Sequence, residues 1–289
     1  MKSNYMNYFK DGKLYQWDKD RVIFSIQNTT IQGEFCLDKK GMDVLLKFNT
    51  PEITKGKNLK VKEGKTVVNI PMTEEVLVVP SLEFENKYYV DAGSLHTAVE
   101  FINPTDKRVA MQGIHLGNNH ITATDNIVVY EAPCSTDGKI IIPKEFISIL
   151  PKTSNNSLYL QSNKNSICYE AEDGSIYIGR LLEGNWLDTR GIVNLREGYK
   201  EINLTPIREC LRFYTDAADM IELKKDSVSL VGMFNTKVDA EFPIDFNCKV
   251  SARLLNKILS NISYDTCTCE YRGRQIVFNG NFLVSCIGL

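Results

Sequence analysis

Residues 138–150 read GKIIIPKEFISIL, and they combine a β-branched strand, a proline and a short amphipathic helix. The three consecutive isoleucines favour a strand, and Pro143 suits the first position of a helix. Phe146, Ile147 and Leu150 then share one helix face. This stretch predicts a strand that leads directly into a helix, with both elements packed on the same core.

The same order recurs about four more times along the chain. Asp38 and Ser251 stand where helix N-caps are expected, and Pro206 lies in the first turn of another copy. After the helices, turn residues at positions 62–65, 172–175 and 271–274 separate runs of Val, Ile, Tyr and Thr, as in antiparallel hairpins. We predict an α+β fold of tandem units, with antiparallel sheets and helices on one face. The other copies span residues 35–46, 89–99, 202–211 and 248–258. Their predicted apolar helix positions are Met42, Leu45 and Leu46; Leu95, Ala98 and Val99; Ile207, Cys210 and Leu211; and Leu254, Leu255 and Ile258.

Pairing of these units predicts three domains, at residues 1–83, 84–196 and 197–289. The first domain is expected to be shortened, because it lacks the opening helix that the pairing requires. Residues 80–86 fit a linker between the first two domains.

Composition excludes several classes of protein. With 43% apolar residues in 289, the chain can bury several cores, so disorder is not expected. The net charge of -2 argues against a protein that binds nucleic acid with its whole surface, so any DNA site must be local. The sequence contains no apolar stretch long enough to cross a bilayer and no signal peptide, and the eight cysteines lie in apolar runs. We expect a cytoplasmic protein with reduced thiols and no membrane partner.

The sequence does not carry a recognisable catalytic or metal-binding motif. His115 and His120 lack metal-ligand spacing and are predicted to be solvated turn residues. Cys267 and Cys269 would share one face of a strand, where core packing explains them. Residues 64–66 (GKT) lack the first glycine of a phosphate-binding loop. We therefore expect a protein that is not an enzyme and that has no cofactor and no metal.

Basic residues recur on the predicted helix faces opposite the apolar ones. One such face is ordinary solvated surface, but recurrence favours a shared positive surface that binds phosphates without reading the base sequence. The helix after Asp91 departs from this pattern, because it offers Thr97 and Glu100. The predicted DNA-binding residues are Lys40, Lys47, Lys107, Arg108, Lys144, Lys152, Arg208, Arg212, Arg253 and Lys257.

Four segments, at residues 121–129, 139–144, 179–188 and 282–289, resemble segments that occur in the same order in the family of bacterial β-type DNA sliding clamps. Residues 121–129 (ITATDNIVV) resemble its Ala-Thr-Asp-Gly-His-Arg-Leu strand and turn. Residues 139–144 are similar to its strand into helix, and residues 179–188 to its Arg-Leu-Ile-Glu-Gly-Phe-Pro-Asp stretch. Residues 282–289 are placed like its terminal strand. The resemblance is clearest over residues 88–196.

The resemblance implies a processivity factor, usually a homodimer of three-domain chains, that closes as a ring around duplex DNA and tethers DNA polymerase. Helices would line the hole. It also implies that polymerase and a clamp loader insert short peptides into an apolar pocket between the second and third domains. Residues 126–128 and 285–286 differ from the family, which implies a different preferred peptide. The matching partner-binding positions are Met111, Thr124, Asn126, Ile127, Val128, Leu283, Ser285, Cys286 and Ile287.

The shortened first domain keeps a second hypothesis open. The chain could be a protein-interaction hub that keeps the clamp fold and its peptide pocket but does not encircle DNA. A monomeric particle in solution scattering would favour the hub. A shortened, diverged clamp is the kind that a phage could carry for its own polymerase, so a bacterial or phage-infected cell is the expected setting.

Overall fold

The computed structural model describes residues 5–18, 23–136, 138–151, 157–187, 189 and 191–288. These residues form 25 strands, five α-helices and one 3₁₀ helix at Val109–Gln112. No helix within these ranges has the length and apolar character needed to span a bilayer. The helices are α1 (Lys39–Leu45), α2 (Ala92–Glu100), α3 (Lys144–Ile147), α4 (Thr205–Leu211) and α5 (Ala252–Ser260).

The strands alternate with these helices in the order that the sequence predicts. They are β1 (Tyr5–Lys10), β2 (Lys13–Asp18), β3 (Ile23–Asn28), β4 (Phe35–Leu37), β5 (Glu52–Lys55), β6 (Asn58–Glu63), β7 (Thr66–Pro71), β8 (Asn86–Asp91), β9 (Gly113–Gly117), β10 (His120–Thr124), β11 (Val128–Pro133), β12 (Ser135–Thr136), β13 (Ile140–Pro143), β14 (Ser157–Ser162), β15 (Ser166–Glu170), β16 (Ile176–Arg180), β17 (Lys200–Asn203), β18 (Met220–Lys224), β19 (Ser227–Val231), β20 (Thr236–Asp239), β21 (Asn247–Ser251), β22 (Thr266–Tyr271), β23 (Gln275–Phe278), β24 (Phe282–Ser285) and β25 (Ile287–Gly288).

The chain packs into two compact units. Unit 1 comprises Met1–Ala92 and Thr136–Leu182, and unit 2 comprises Gly93–Ser135 and Glu183–Leu289. In each unit, strand pairing joins segments from different predicted domains: β16 pairs with β3 in unit 1, and β11 pairs with β24 in unit 2. The division into three domains stays a prediction.

Unit 1 contains a long antiparallel sheet in which eight strands follow the order β8-β14-β15-β16-β3-β2-β1-β4. A second sheet has the order β5-β6-β7. Phe9 and Leu37 are fully buried in the core that α1 and this smaller sheet share with the long one. Trp17 belongs to a second core, against which Leu77 and Phe84 pack. In the part of the chain described before α1 there are only strands, as the sequence predicts for the first segment.

Local sequence signals explain the helices of unit 1. The side chain of Asp38 caps α1 by accepting a hydrogen bond from Gly41 N at 2.7 Å. Leu45 is buried as predicted, whereas Leu46 is 67% exposed. The prediction for Leu46 was wrong because α1 ends at Leu45. Helix α3 begins after Pro143 and ends at Ile147, so it is shorter than the apolar pattern suggests.

The buried face of α3 approaches β16 very closely. Phe146 and Ile147 are fully buried, as the spacing of residues 138–150 predicts. A Cβ atom at Gly179 would lie only 2.6 Å from the Phe146 ring. Position 179 therefore needs glycine for steric reasons, and this close contact fixes the helix on the sheet.

Unit 2 contains two antiparallel sheets. Seven strands follow the order β9-β10-β11-β24-β23-β22-β17, and five follow the order β20-β19-β18-β21-β25. The last segment of the chain leaves the first sheet at Ser285 and joins the second at Ile287. Helix α4 packs on β19 and β20, and α5 packs on β18 and β21. Their predicted apolar faces are buried: Ile207, Cys210 and Leu211 on α4, and Leu254, Leu255 and Ile258 on α5.

The structure corrects the prediction for one histidine and agrees with the predictions for a second histidine and for a pair of cysteines. His115 is buried in β9, where its ring stacks on Trp186 with centroids 5.4 Å apart, so the prediction of a solvated turn residue was wrong. His120 is exposed as predicted. Cys267 and Cys269 are both buried on β22, and burial raises the pKa of Cys267 to about 12. Core packing explains this pair.

Candidate functional site

Helix α4 carries two of the predicted DNA-binding residues beside a cleft of about 220 Å³. Arg208 is held within the protein, because it donates a hydrogen bond to Asp265 Oδ1 at 2.8 Å and another to Ile262 O. Arg212, which caps the C-terminal end of α4, is exposed. The cleft is lined by Arg208, Leu211, Arg212, Asn256, Leu259 and Ser260.

Helix α5 carries Arg253 and Lys257, one turn apart. Arg253 is exposed, whereas the Lys257 ammonium lies 4.9 Å from the centroid of the Phe101 ring. Burial lowers the pKa of Lys257. Glu100, the last residue of α2, lies beside the C-terminal end of α5, where its carboxylate accepts a hydrogen bond from Asn261 Nδ2 at 3.2 Å. Of the four basic residues on α4 and α5, Arg212 and Arg253 are therefore the most exposed.

The remaining predicted DNA-binding residues are scattered. In unit 1, Lys40 on α1 and Lys47 after it are exposed, and Lys144 is half-buried at the start of α3. Lys107 is exposed in the loop after α2. Lys152 lies outside the described residues.

Arg108 is exposed, and its guanidinium also makes hydrogen bonds within the protein. Its guanidinium donates two hydrogen bonds of 3.0 Å to the Asp106 carboxylate and one to Asn126 Oδ1. These bonds hold the pKa of Asp106 well below its usual value. Arg108 therefore supports a turn that carries predicted partner-binding residues.

That turn, at residues 124–128, is closed by side-chain hydrogen bonds. Asp125 Oδ1 accepts from Ile127 N at 3.0 Å and from Val128 N at 2.8 Å. Asn126 has a φ of 74°, in the left-handed region that asparagine tolerates better than most residues. Thr124 Oγ1 donates to Val128 O at 2.7 Å. The turn presents Ile127 to solvent, with 47% of its surface exposed.

Strand β24 brings the second group of predicted partner-binding residues beside this turn. Ser285 N donates to Ile127 O at 2.9 Å, which extends the pairing of β11 with β24. Ile287 follows with 65% of its surface exposed. Leu283 and Val128 are both buried, but they lie on opposite faces of the sheet, because the register pairs Val128 with Val284 and Val129 with Leu283. Met111 is buried in the 3₁₀ helix. Leu283, which packs with Val129, can form the floor of a site.

The sequence reading missed a third segment of this site. Val193 is buried against Val129, Leu283 and Val277, and Ile192 and Leu195 pack on the same group. The signal was present in the apolar residues of positions 191–195. It could not be assigned, because a loop lacks the periodicity that marks a strand or a helix.

This architecture is similar to that of several solved structures. The chain aligns with the Helicobacter pylori beta clamp bound to a DNA ligase peptide at 16% identity and a TM-score of 0.78, over 99% of this chain and 91% of that one. It aligns with the DNA polymerase III subunit beta of Pseudomonas aeruginosa at 12% identity and a TM-score of 0.79, over 99% and 93%. It aligns with the DNA polymerase III beta subunit of Thermotoga maritima at 14% identity and a TM-score of 0.76, over 99% of this chain and 91% of that one. This chain has the sliding-clamp fold.

The predicted resemblance and fold class are thereby confirmed, at sequence identities that show the fold alone. The chain matches no family model. It also matches no curated protein. The clamp fold places both groups of predicted partner-binding residues in unit 2, where the strands that carry them pair directly.

A buried ion pair holds the third segment in place within this clamp fold. Arg272 pairs with Glu270 at 2.8 Å, and their side chains are only 8% and 12% exposed. Arg272 also donates to Ile192 O at 2.8 Å and to Asn194 O. Arg196 N donates to Glu270 Oε2 at 2.8 Å. The two charges therefore tie the 191–196 loop to strand β22.

Replacing Arg272 with Met should leave the Glu270 carboxylate buried without its cation and the Ile192 and Asn194 carbonyls without their donor. We expect the free energy of unfolding to fall by about 3–5 kcal/mol, measured by urea denaturation at pH 7. Arg274→Met is the control, because Arg274 is exposed on the same hairpin. Its effect should be below about 0.5 kcal/mol.

The ion pair between Arg272 and Glu270 should also make the stability of the fold depend on pH. Hydrogen bonds from Arg272 lower the pKa of Glu270, so the ion pair stabilises the fold above the unfolded-state pKa. That contribution is lost as the pH falls through the lower, folded-state pKa. The stability difference between wild type and Arg272→Met should shrink below about pH 4. A difference that stays constant down to pH 2 would contradict this role for the pair.

Proposed function

We propose that this protein is a non-catalytic sliding clamp that encircles duplex DNA and tethers a DNA polymerase. The observation that carries the proposal is the clamp fold over 99% of the chain, together with adjacent helices that expose Arg212 and Arg253. Weak contacts from such side chains to phosphates are independent of base sequence and exchange readily, which permits sliding. The setting we propose is the cytoplasm of a bacterial or phage-infected cell, a reducing compartment in which free cysteines, such as the eight of this chain, are usual.

Encirclement can be tested without a loader. The protein is allowed to thread onto linear duplex DNA with biotinylated ends, and streptavidin then caps the ends. After a high-salt wash, we expect retention on capped DNA and loss from uncapped DNA, measured by gel filtration of labelled protein. Equal loss from both would contradict topological binding.

The phosphate contacts are tested by Arg212→Gln with Arg253→Gln in one chain. This variant should bind DNA more weakly at low salt and should lower the slope of log K against log salt by about 2. Lys164→Gln with Lys200→Gln removes the same charge from two other exposed positions and is the control. Equal slopes for both double variants would remove α4 and α5 from the DNA surface.

A ring also requires contacts between subunits, and we propose a homodimer. Unit 2 exposes an apolar tip, made of Phe213 (51% exposed), Met233 (77%) and Phe234 (55%). The Asp219 carboxylate builds this tip by accepting hydrogen bonds from Thr215 N at 3.1 Å and Met233 N at 3.3 Å. Exposed apolar groups of this size favour a partner surface.

Edge strands support the same proposal. Strand β20 follows the tip and is the edge of its five-stranded sheet, and β7 is an edge of the small sheet of unit 1. Val67 on β7 is 48% exposed. Exposed edges of this kind are suited to pairing with another chain. A second copy of the chain would cover both surfaces.

Phe213→Glu with Phe234→Glu should therefore convert the dimer to a monomer, because each introduced charge would be desolvated at the interface. Sedimentation equilibrium or solution scattering gives the mass. Tyr264→Glu alters an aromatic residue of unit 2 that is 73% exposed outside the tip, and it should stay dimeric. A wild-type monomer at all concentrations would instead favour the interaction hub.

The hub is the second candidate, and one observation favours it. Two of the four basic residues on α4 and α5 are engaged within the protein, Arg208 by Asp265 and Lys257 by Phe101, and Glu100 adds a negative charge. A hub would keep the peptide pocket, and it would be lost equally from capped and uncapped DNA in the end-capping experiment.

For partners we propose short peptides with apolar anchors, held between the 124–128 turn, β24 and the 191–196 loop. The Helicobacter pylori clamp was solved with a DNA ligase peptide, which supports this class of ligand. Ile127 and Ile287 are the exposed apolar residues beside a buried floor. Buried apolar anchors carry most of the energy in small interfaces.

Ile127→Asp and Ile287→Asp should each weaken binding by about 2 kcal/mol or more. The probe is a peptide selected from a phage-displayed random library on the wild-type protein, and its affinity is measured by fluorescence anisotropy. Tyr264→Asp is the control and should bind normally. Unchanged affinity in both isoleucine variants would refute this placement of the pocket.

A further inference from the structure

Two free cysteines meet where the last segment of the chain passes from one sheet of unit 2 to the other. Cys286 lies between β24, which pairs with β23, and β25, which pairs with β21. Cys248 lies on β21, opposite Gly288. Because Gly288 follows Cys286 by two residues, this register puts the Cys248 and Cys286 side chains on the same face of the strand pair, as diagonal neighbours. Both cysteines are unoxidised in this structure.

The two thiols have different environments. Cys248 is fully buried, whereas Cys286 is partly exposed. The hydrogen bond from Cys248 lowers the pKa of Cys286, and the same bond, with burial, raises the pKa of Cys248. An accessible thiol that ionises more readily, next to a second thiol, is the arrangement found in redox-sensitive cysteine pairs.

The other cysteines lack this combination. Cys134 is the second partly exposed cysteine, but burial raises its pKa to about 12. Cys269 lies close enough to Cys248 to affect its pKa, yet Cys269 is fully buried. Access from solvent and an adjacent thiol therefore coincide at Cys286.

We propose that Cys286 and Cys248 are a peroxide-sensitive pair that closes to a disulfide and thereby weakens peptide binding at the adjacent pocket. The Cys286 thiolate attacks one oxygen of hydrogen peroxide, the O–O bond breaks, and the sulfenic acid forms as hydroxide takes up a proton to leave as water. The Cys248 sulfur then attacks the sulfenic sulfur, and its proton leaves with the departing hydroxide as a second water. The two thiols lose two electrons, and the peroxide gains them.

The effect on binding follows from the position of Cys286 and rests on the proposed peptide pocket. Cys286 N donates to Arg274 O at 2.9 Å, and Cys286 Sγ lies 3.9 Å from Gly273 O. A disulfide requires an S–S distance of about 2.05 Å, much shorter than a hydrogen bond between thiols. Closure would draw Cys286 towards Cys248 and disturb these two contacts. Ile287, the next residue, would move with it.

The modification is tested first, and this step needs no peptide and no DNA. The full-length protein is treated with hydrogen peroxide, remaining thiols are alkylated, and peptides are mapped by mass spectrometry without reduction. We expect a Cys248–Cys286 disulfide as the main product, reversed by dithiothreitol. A disulfide at another pair, or oxidation of Cys134 at the same rate as Cys286, would overturn the assignment.

The order of the two steps is tested with single variants whose folding is checked by circular dichroism. In Cys248→Ser, or Cys248→Ala if the serine variant does not fold, dimedone should label a sulfenic acid at Cys286. In Cys286→Ser, dimedone should not label Cys248. Labelling of Cys248 in that variant would overturn the role of Cys286 as the attacking thiol.

The consequence is tested with the library-selected peptide. Oxidised wild type should bind it about tenfold more weakly than reduced wild type, and Cys134→Ser should show the same loss. Peroxide should not change the affinity of Cys286→Ser. A mapped disulfide with unchanged peptide affinity overturns the regulatory effect. If the reduced wild type selects no peptide, the proposed pocket fails instead, and the disulfide map still decides the modification.

Discussion

In unit 2 the antiparallel pairing of β11 with β24 joins two segments that lie far apart in the sequence. Val128 and Val284 stand opposite each other in this ladder, and both are fully buried. Side chains alternate between the two faces of a strand, and the next pair, Val129 and Leu283, is buried on the other face, so a shift of one residue would exchange the side chains of two packed faces. The register is therefore fixed by burial, and the hydrogen bond from Ser285 to Ile127 follows from it.

This register also decides the chemistry of the proposed pocket. It places the exposed Ile127 and Ile287 at the strand ends and Leu283 in the floor, where the 191–196 loop completes the site. The loop has a backbone hydrogen bond of its own, from Asn194 N to Gly191 O at 3.2 Å, and Arg272 and Glu270 tie it to β22. A buried ion pair is a poor source of net stability, but it fixes geometry because neither charge tolerates the loss of its partner.

Local signals in the sequence were sufficient for the elements. Asp38 caps α1 as predicted, and Gly64, Gly174 and Gly273 adopt positive φ values in the predicted hairpin turns. The predictions for Leu46 and His115 were wrong for a common reason. A pattern of apolar and polar residues does not show where a helix ends or which polar ring is covered by a residue from another segment, as Trp186 covers His115.

The sequence by itself determined the α+β units, their order, the buried faces of α4 and α5, and the resemblance to sliding clamps. All of these depend on residues close together in the chain, where periodicity and turn chemistry act. Only the tertiary structure decided that Arg108 supports the 124–128 turn, that Arg272 holds the 191–196 loop, and that Cys248 meets Cys286. Those contacts join residues that are distant in sequence, and local preferences carry no information about which distant groups will meet.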